Sequence, residues 1–162
     1  MPDISPTTNQ PYYAGPAATE AIRAICRSIN IGEGKLSKIT QEMVCGYCER
    51  VDRDLDEQLS DLYYTPIKPY NLTRADGTTI SVFPGNVREV ALYKSAGMLL
   101  SSEFQGNEPN LQEAAQEYLT KAQKALFRLI RFNERIFGQE MKSRLRTMLP
   151  RFQPPLNPEQ DF

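Results

Sequence analysis

Val44-Cys45-Gly46-Tyr47-Cys48-Glu49-Arg50-Val51-Asp52-Arg53-Asp54-Leu55-Asp56-Glu57-Gln58-Leu59-Ser60-Asp61-Leu62 is the stretch that decides the fold class. Its apolar side chains Val44, Tyr47, Cys48, Val51, Leu55, Leu59 and Leu62 advance by threes and fours. On a helix that spacing lines them up as one stripe, so the pattern predicts an amphipathic helix from Ser37 to Tyr63. Glu49 and Arg53 stand at the favourable i, i+4 spacing on its polar flank. A helix with a single apolar stripe needs other elements to cover it, and the flanking sequence supplies them.

Upstream, residues 1 to 17 hold Pro2, Pro6, Pro11 and Pro16 among Ser, Thr, Asn and Gly, a composition that favours an extended arm. Tyr12 and Tyr13 are the side chains able to anchor that arm on a surface. A short helix follows from Ala17 to Ser28, with Ala18, Ile22, Ile25 and Cys26 on its apolar face, and Ile31-Gly32-Glu33-Gly34 ends it. Downstream, Pro66, Pro69 and Pro84 break the helical pattern. Between them Tyr70-Asn71-Leu72-Thr73 and Thr78-Thr79-Ile80-Ser81-Val82-Phe83 flank Asp76-Gly77, which predicts a β-hairpin inserted between helices at residues 66 to 84. A lone hairpin is marginal in water and must lie on helices or pair with another chain. Tyr70, Leu72, Asp76, Gly77 and Ile80 are therefore candidate contact residues.

A third helix, Asn86 to Phe104, has Val87, Val90, Ala91, Leu92, Tyr93, Met98, Leu99 and Leu100 on more than one side, which places it in the centre of a bundle. Ala96 and Gly97 would let a neighbour approach closely. Asn110, with Glu113 three residues on, is read as the cap of a fourth helix. Its stripe is Leu111, Ala115, Tyr118, Ala122, Leu126, Leu129 and Ile136, reaching to Phe137, with Gly138 as the stop. Gln139 to Leu149 is expected to form a further helical piece. The prolines of residues 151 to 162 exclude a helix there and favour a pre-extended docking tail. The candidate partner-binding residues of the C-terminal segment from Arg144 to Phe162 are Arg144, Arg146, Arg151, Phe152, Pro154, Pro155, Leu156 and Phe162. The expectation is thus a mainly α fold, a bundle of about four helices with an inserted hairpin and two arms, in one domain. Residues 1 to 17 are the N-terminal arm, 18 to 137 the core, and 138 to 162 the C-terminal piece and tail.

Composition narrows the function classes. With no histidine in the chain there is no imidazole base, no Ser-His or Cys-His nucleophile pair and no nitrogen-ligated zinc. No run approaches the roughly 18 apolar residues of a membrane span, and the N-terminus lacks a signal sequence, so a cytosolic protein without membrane contact is expected. The net charge of −1 conceals an acidic stretch at residues 42 to 61 and a basic one at 121 to 151. Two readings follow: solvated faces that never meet, or head-to-tail attraction between copies in which Arg128 and Arg131 are contact residues.

Motifs that imitate chemistry fail on spacing. Cys45-Gly46-Tyr47-Cys48 lies inside a helix rather than at its start and, even with Cys26, offers three sulfurs and no imidazole, so core packing is the reading. Asp52-x-Asp54-x-Asp56 has Glu57 and Tyr63 where a calcium loop needs Gly and Glu, and reads as a solvated acidic face. Asn71-Leu72-Thr73 is a sequon without a secretory context. Specific nucleic-acid recognition does not fit a pI of 5.6. No enzyme and no cofactor is expected.

The order of parts resembles the head-tail connector, or adaptor, proteins of tailed bacteriophages. The likeness lies in Val51-Asp52-Arg53-Asp54-Leu55-Asp56, then Leu59 and Leu62-Tyr63-Tyr64-Thr65-Pro66-Ile67, followed by the hairpin insertion. Phe83-Pro84-Gly85-Asn86-Val87 then opens a central helix, and Ser102 to Asn110 leads into a long amphipathic one. The resemblance spans residues 37 to 137 and is a pattern, not a signature. It implies a homo-oligomeric ring, commonly a dodecamer, under the portal protein at the capsid vertex, with DNA passing through its channel. It also implies a C-terminal segment reaching the portal, a downstream neck or tail protein on the opposite face, and a location in the virion neck after assembly in the host cytoplasm. From the residues alone, a cytosolic helical regulator that binds one partner through its C-terminal segment is the alternative. A small enzyme using Cys45 and Cys48 ranks last.

Overall fold

The computed structural model describes residues 3–26, 39–104, 109–131 and 135–142. Among them the chain forms helices α1 (Ala18–Ile25) and α2 (Gln41–Leu59), a hairpin of β1 (Tyr70–Thr73) and β2 (Thr79–Val82), and helices α3 (Gly85–Glu103) and α4 (Pro109–Arg131). The protein is mainly helical with a small antiparallel hairpin, as the periodicity predicts.

The decisive stripe is buried in α2: Val44, Cys48, Val51, Leu55 and Leu59 are each fully covered. Burying side chains of this kind contributes about 1.5–3 kcal/mol each. Thr40 caps the helix, its Oγ1 accepting the Met43 N–H at 3.2 Å. The helix is shorter than the expected Ser37 to Tyr63, because the chain turns at residues 60–62, where the Leu62 and Tyr63 N–H groups both donate to the Leu59 carbonyl. Residues 27–38 lie outside the described chain, as does the predicted end of the first helix.

Helix α3 is the centre of the bundle, packed against α1, α2 and α4. Val87, Val90, Ala91, Ser95, Ala96, Gly97, Leu99 and Leu100 are buried around it, which is why its sequence is apolar on several sides. Gly97 is the point of closest approach to α4: a Cβ there would lie 2.7 Å from Leu119 Cγ and 3.1 Å from the Ala115 carbonyl oxygen. Facing it, α4 buries Leu111, Ala115, Ala122, Ala125 and Leu129.

Two expectations about α4 are corrected. Pro109, not a capped Asn110, is its first residue, a position where proline loses no intrahelical bond and brings its preset φ. The helix does not reach Phe137, since residues 135–142 are irregular. Ile136 is buried there without belonging to a helix, and Gly138 turns with φ +71°. Of the expected helical piece Gln139 to Leu149, residues 139–142 form no helix and residues 143–149 lie outside the described residues. Met141 bridges Tyr63, and the Lys142 N–H donates to the Leu62 carbonyl at 2.9 Å. Extended pairing uses the backbone groups a helix would need.

The N-terminal arm does more than anchor on a surface. Tyr12, Tyr13 and Ala14 are part of the core, and the arm doubles back through the bridges Ile4–Pro11 and Tyr12–Gly15. Its base is closed by the Asp3 N–H donating to the Pro16 carbonyl at 3.0 Å.

Candidate interaction surface

The hairpin register pairs Tyr70 with Val82 and Leu72 with Ile80. Because side chains alternate along a strand, these four share one face, while Asn71, Thr73, Thr79 and Ser81 share the other. The turn is closed by Arg74 N–H to the Thr78 carbonyl, 2.8 Å, and by Gly77 N–H to the Arg74 carbonyl, 3.0 Å. Gly77 takes φ +81°, which a residue with a Cβ adopts only at a cost. Asp76 Oδ1 accepts from both the Thr78 N–H (2.9 Å) and hydroxyl (2.6 Å), and these bonds hold its carboxyl below the usual range. The predicted turn residues Asp76 and Gly77 thus shape the loop.

Burial falls away along the apolar face. Val82 at the base is buried, Tyr70 and Ile80 are half-buried, and Leu72 is 46% exposed. The face therefore begins in the protein and runs out of it toward the tip. Phe137 extends it: its ring meets Tyr70 edge-on at 4.9 Å and is itself 67% exposed. Gln139 fixes this juxtaposition from both ends of its side-chain amide. Its Oε1 accepts the Lys68 N–H at 3.3 Å and its Nε2 donates to the Lys68 carbonyl at 2.8 Å. Tyr64, 62% exposed on the same connection, lies beneath the Lys142 ammonium at 5.5 Å.

The structure thus brings Tyr70, Leu72 and Ile80 together as the sequence suggested. Phe137 was missed, because the fourth-helix stripe assigned it to the end of that helix. No local pattern announces that the chain after α4 returns to the hairpin.

The charged candidates lie elsewhere. Arg128 is on the exposed side of α4, where its guanidinium meets Glu89 at 3.3 Å, and Arg131 lies 5.9 Å from the Phe127 ring centroid. The acidic stretch is not simply a solvated face. Asp54 pairs with Lys94 of α3, Asp52 Oδ2 accepts the Tyr13 N–H at 3.0 Å, and Asp56 accepts the Tyr13 hydroxyl. These three carboxylates make contacts within the fold, while Glu42, Glu57 and Asp61 of the same stretch are exposed. The expected Glu49–Arg53 pair is not among the ion pairs of the described residues, and Glu49 Oε2 is buried without a partner.

Cys45 and Cys48 lie inside α2. Burial pushes the Cys48 thiol up to about 12 and the Cys26 thiol to about 11, and raises Cys45 as well, so none is poised as a thiolate. Among the described residues no group of three His, Cys, Asp or Glu side chains could hold a metal ion, and no helix is long and apolar enough to cross a membrane. The tail candidates Arg144, Arg146, Arg151, Phe152, Pro154, Pro155, Leu156 and Phe162 fall outside the described residues.

No protein-family model, curated protein or solved structure matches this chain.

Proposed function

We propose that this chain is a structural subunit that assembles through its hairpin, as a head-tail connector ring beneath a phage portal. The observation that carries this reading is the hairpin's apolar face, which leaves the protein's body uncovered from Ile80 to Leu72 and continues onto Phe137. A hairpin of two short strands gains little from exposing apolar side chains, and a neighbouring subunit would cover them. The contact is heterologous, which lets copies close into a ring. In this reading the tail from Arg144 to Phe162 engages the portal, the opposite face receives the next neck or tail component, and DNA passes the channel without specific recognition.

The test is light scattering on size-exclusion fractions of the wild type and Leu72→Asp, alone and with a portal protein. Wild type is expected at a multiple of the 18.4 kDa protomer mass, and L72D at the protomer mass with unchanged circular dichroism. A wild type that stays monomeric both alone and with portal protein would remove the reading.

A further inference from the structure

The arm from Ile4 to Gly15 is an Ω-type loop held at its base and through Tyr13 by different chemistry. Its base is fixed by Asp3, whose Oδ2 accepts the Thr19 N–H at 2.7 Å and whose Oδ1 accepts from Gln41 Nε2 at 2.7 Å. Near its C-terminal end it is fixed through Tyr13. The Tyr13 N–H donates to Asp52, its hydroxyl donates to Asp56, and that same hydroxyl oxygen accepts the Ile67 N–H at 2.8 Å. The Tyr13 ring packs edge-on against Phe83 at 4.9 Å. One side chain therefore pins the loop to α2 and to the connection before the hairpin.

The socket that receives Tyr13 has an excess of carboxylate. Asp52, Asp56 and Glu49 line one crevice of about 180 Å³ with Arg53, Pro66 and Phe83, and no ion pair among the described residues joins Arg53 to any of the three acids. Asp52 Oδ1 and Glu49 Oε2 are both buried without a hydrogen-bond partner. An ionised carboxylate with an unsatisfied buried oxygen is costly, and a second buried carboxylate one turn away raises that cost.

We propose that the Ile4–Gly15 loop is a proton-locked strap: Asp52 holds a proton on Oδ1 while Oδ2 receives the Tyr13 N–H, and losing that proton to solvent lifts the strap off Asp52 and Asp56. The groups facing Asp52 agree. On α2 these are Glu49, Asp56, Arg53 and the Cys48 thiol, and on the loop the neutral Tyr13 hydroxyl and amide. Burial raises the Asp52 carboxyl to about 7, the Tyr13 N–H works against that shift, and Asp56 and Glu49 add to it. With the strap lifted, Asp52 is a helix-surface aspartate near its ordinary value. The seated state thus binds the proton more tightly, so seating is strongest at low pH and weakens as pH rises toward 7, by at most about tenfold per unit for one proton.

Hydrogen exchange of single amides, corrected for intrinsic rates, reads this directly. Between about pH 5 and 8, protection of the Tyr13 and Ile67 amides should fall together, while the Thr19 amide, held by Asp3 at the base, keeps its protection. Asp52→Asn, which carries no charge at any of these values, should hold Tyr13 protected throughout. Asp56→Asn should lower protection at every pH and reduce the slope without abolishing it, since the Asp56 charge adds to the Asp52 shift that burial sets. Three results would each overturn the proposal: protection independent of pH, Thr19 falling in parallel with Tyr13, or D52N keeping the wild-type slope. Should D52N fold poorly, the side-chain carboxyl resonance of Asp52 in the wild type decides, since a midpoint near about 4 leaves no proton to lock the strap.

Discussion

Adding one methyl group to either of two helical glycines should change stability in opposite directions. Gly97 of α3 and Gly46 of α2 both lie inside helices, where alanine is favoured over glycine by about 1 kcal/mol. At Gly46 a Cβ meets nothing within 4 Å, so G46A should gain most of that amount. At Gly97 the Cβ would lie 2.7 Å from Leu119 Cγ and 2.9 Å from Leu119 Cδ2, with the Ala115 carbonyl oxygen at 3.1 Å. Leu119 cannot move away as a flexible tip would, because its branch carbon is the nearest atom, and the carbonyl belongs to the α4 backbone. The helices must separate, and overpacking of this kind costs about 1–3 kcal/mol. Net of the propensity gain, G97A should lose up to about 2 kcal/mol. Urea unfolding followed by circular dichroism measures both, and Leu119→Ala combined with G97A should recover part of the packing loss through non-additivity. A G97A protein as stable as the wild type would show that α3 and α4 do not meet this closely.

Removing the α2 cap with Thr40→Ala should cost about 1 kcal/mol, read by the same unfolding experiment, because the Met43 N–H loses its acceptor. Tyr13→Phe keeps the ring against Phe83 but strips a donor from Asp56 and an acceptor from the Ile67 N–H, and should cost about 1–3 kcal/mol. Its deficit should shrink as pH rises from about 5 to about 8, by thermal unfolding, because the proposed loss of the Asp52 proton already lifts Tyr13 away from Asp56.

What was legible in the sequence is what a single period encodes. The α2 stripe, the multi-sided α3 and the hairpin around Asp76-Gly77 each carry a local pattern, and each element is present, with its bounds shifted by a few residues. The α4 stripe misled at its far end, because Ile136 keeps the apolar spacing yet is buried from an irregular segment. Helical periodicity cannot distinguish a core residue on the helix from one that reaches the same core after it. The candidate surface was half legible. Tyr70, Leu72 and Ile80 follow from strand alternation, whereas Phe137 and Gln139 join them through a contact spanning some seventy positions of sequence, as between Lys68 and Gln139.

The acidic run shows how charge misleads when read without its partners. Asp52, Asp54 and Asp56 stand at alternate positions in the sequence, but on α2 they meet different neighbours, two of them Tyr13 and one Lys94. Their proximity invites the inference of an attractive surface, while the helix spreads them between two internal contacts. Arg128 is similarly engaged with Glu89 on α3. Exposed pairs of that kind contribute about 0–1 kcal/mol and weaken with salt, so a contact between copies resting on them would dissolve as ionic strength rises. The apolar face from Tyr70 to Ile80 has the opposite salt dependence. A contact built on it persists or tightens when salt is added, because excluded salts favour burial of apolar surface. A contact between copies built on the hairpin face, as proposed, would thus persist at ionic strengths where one built on these charges would weaken.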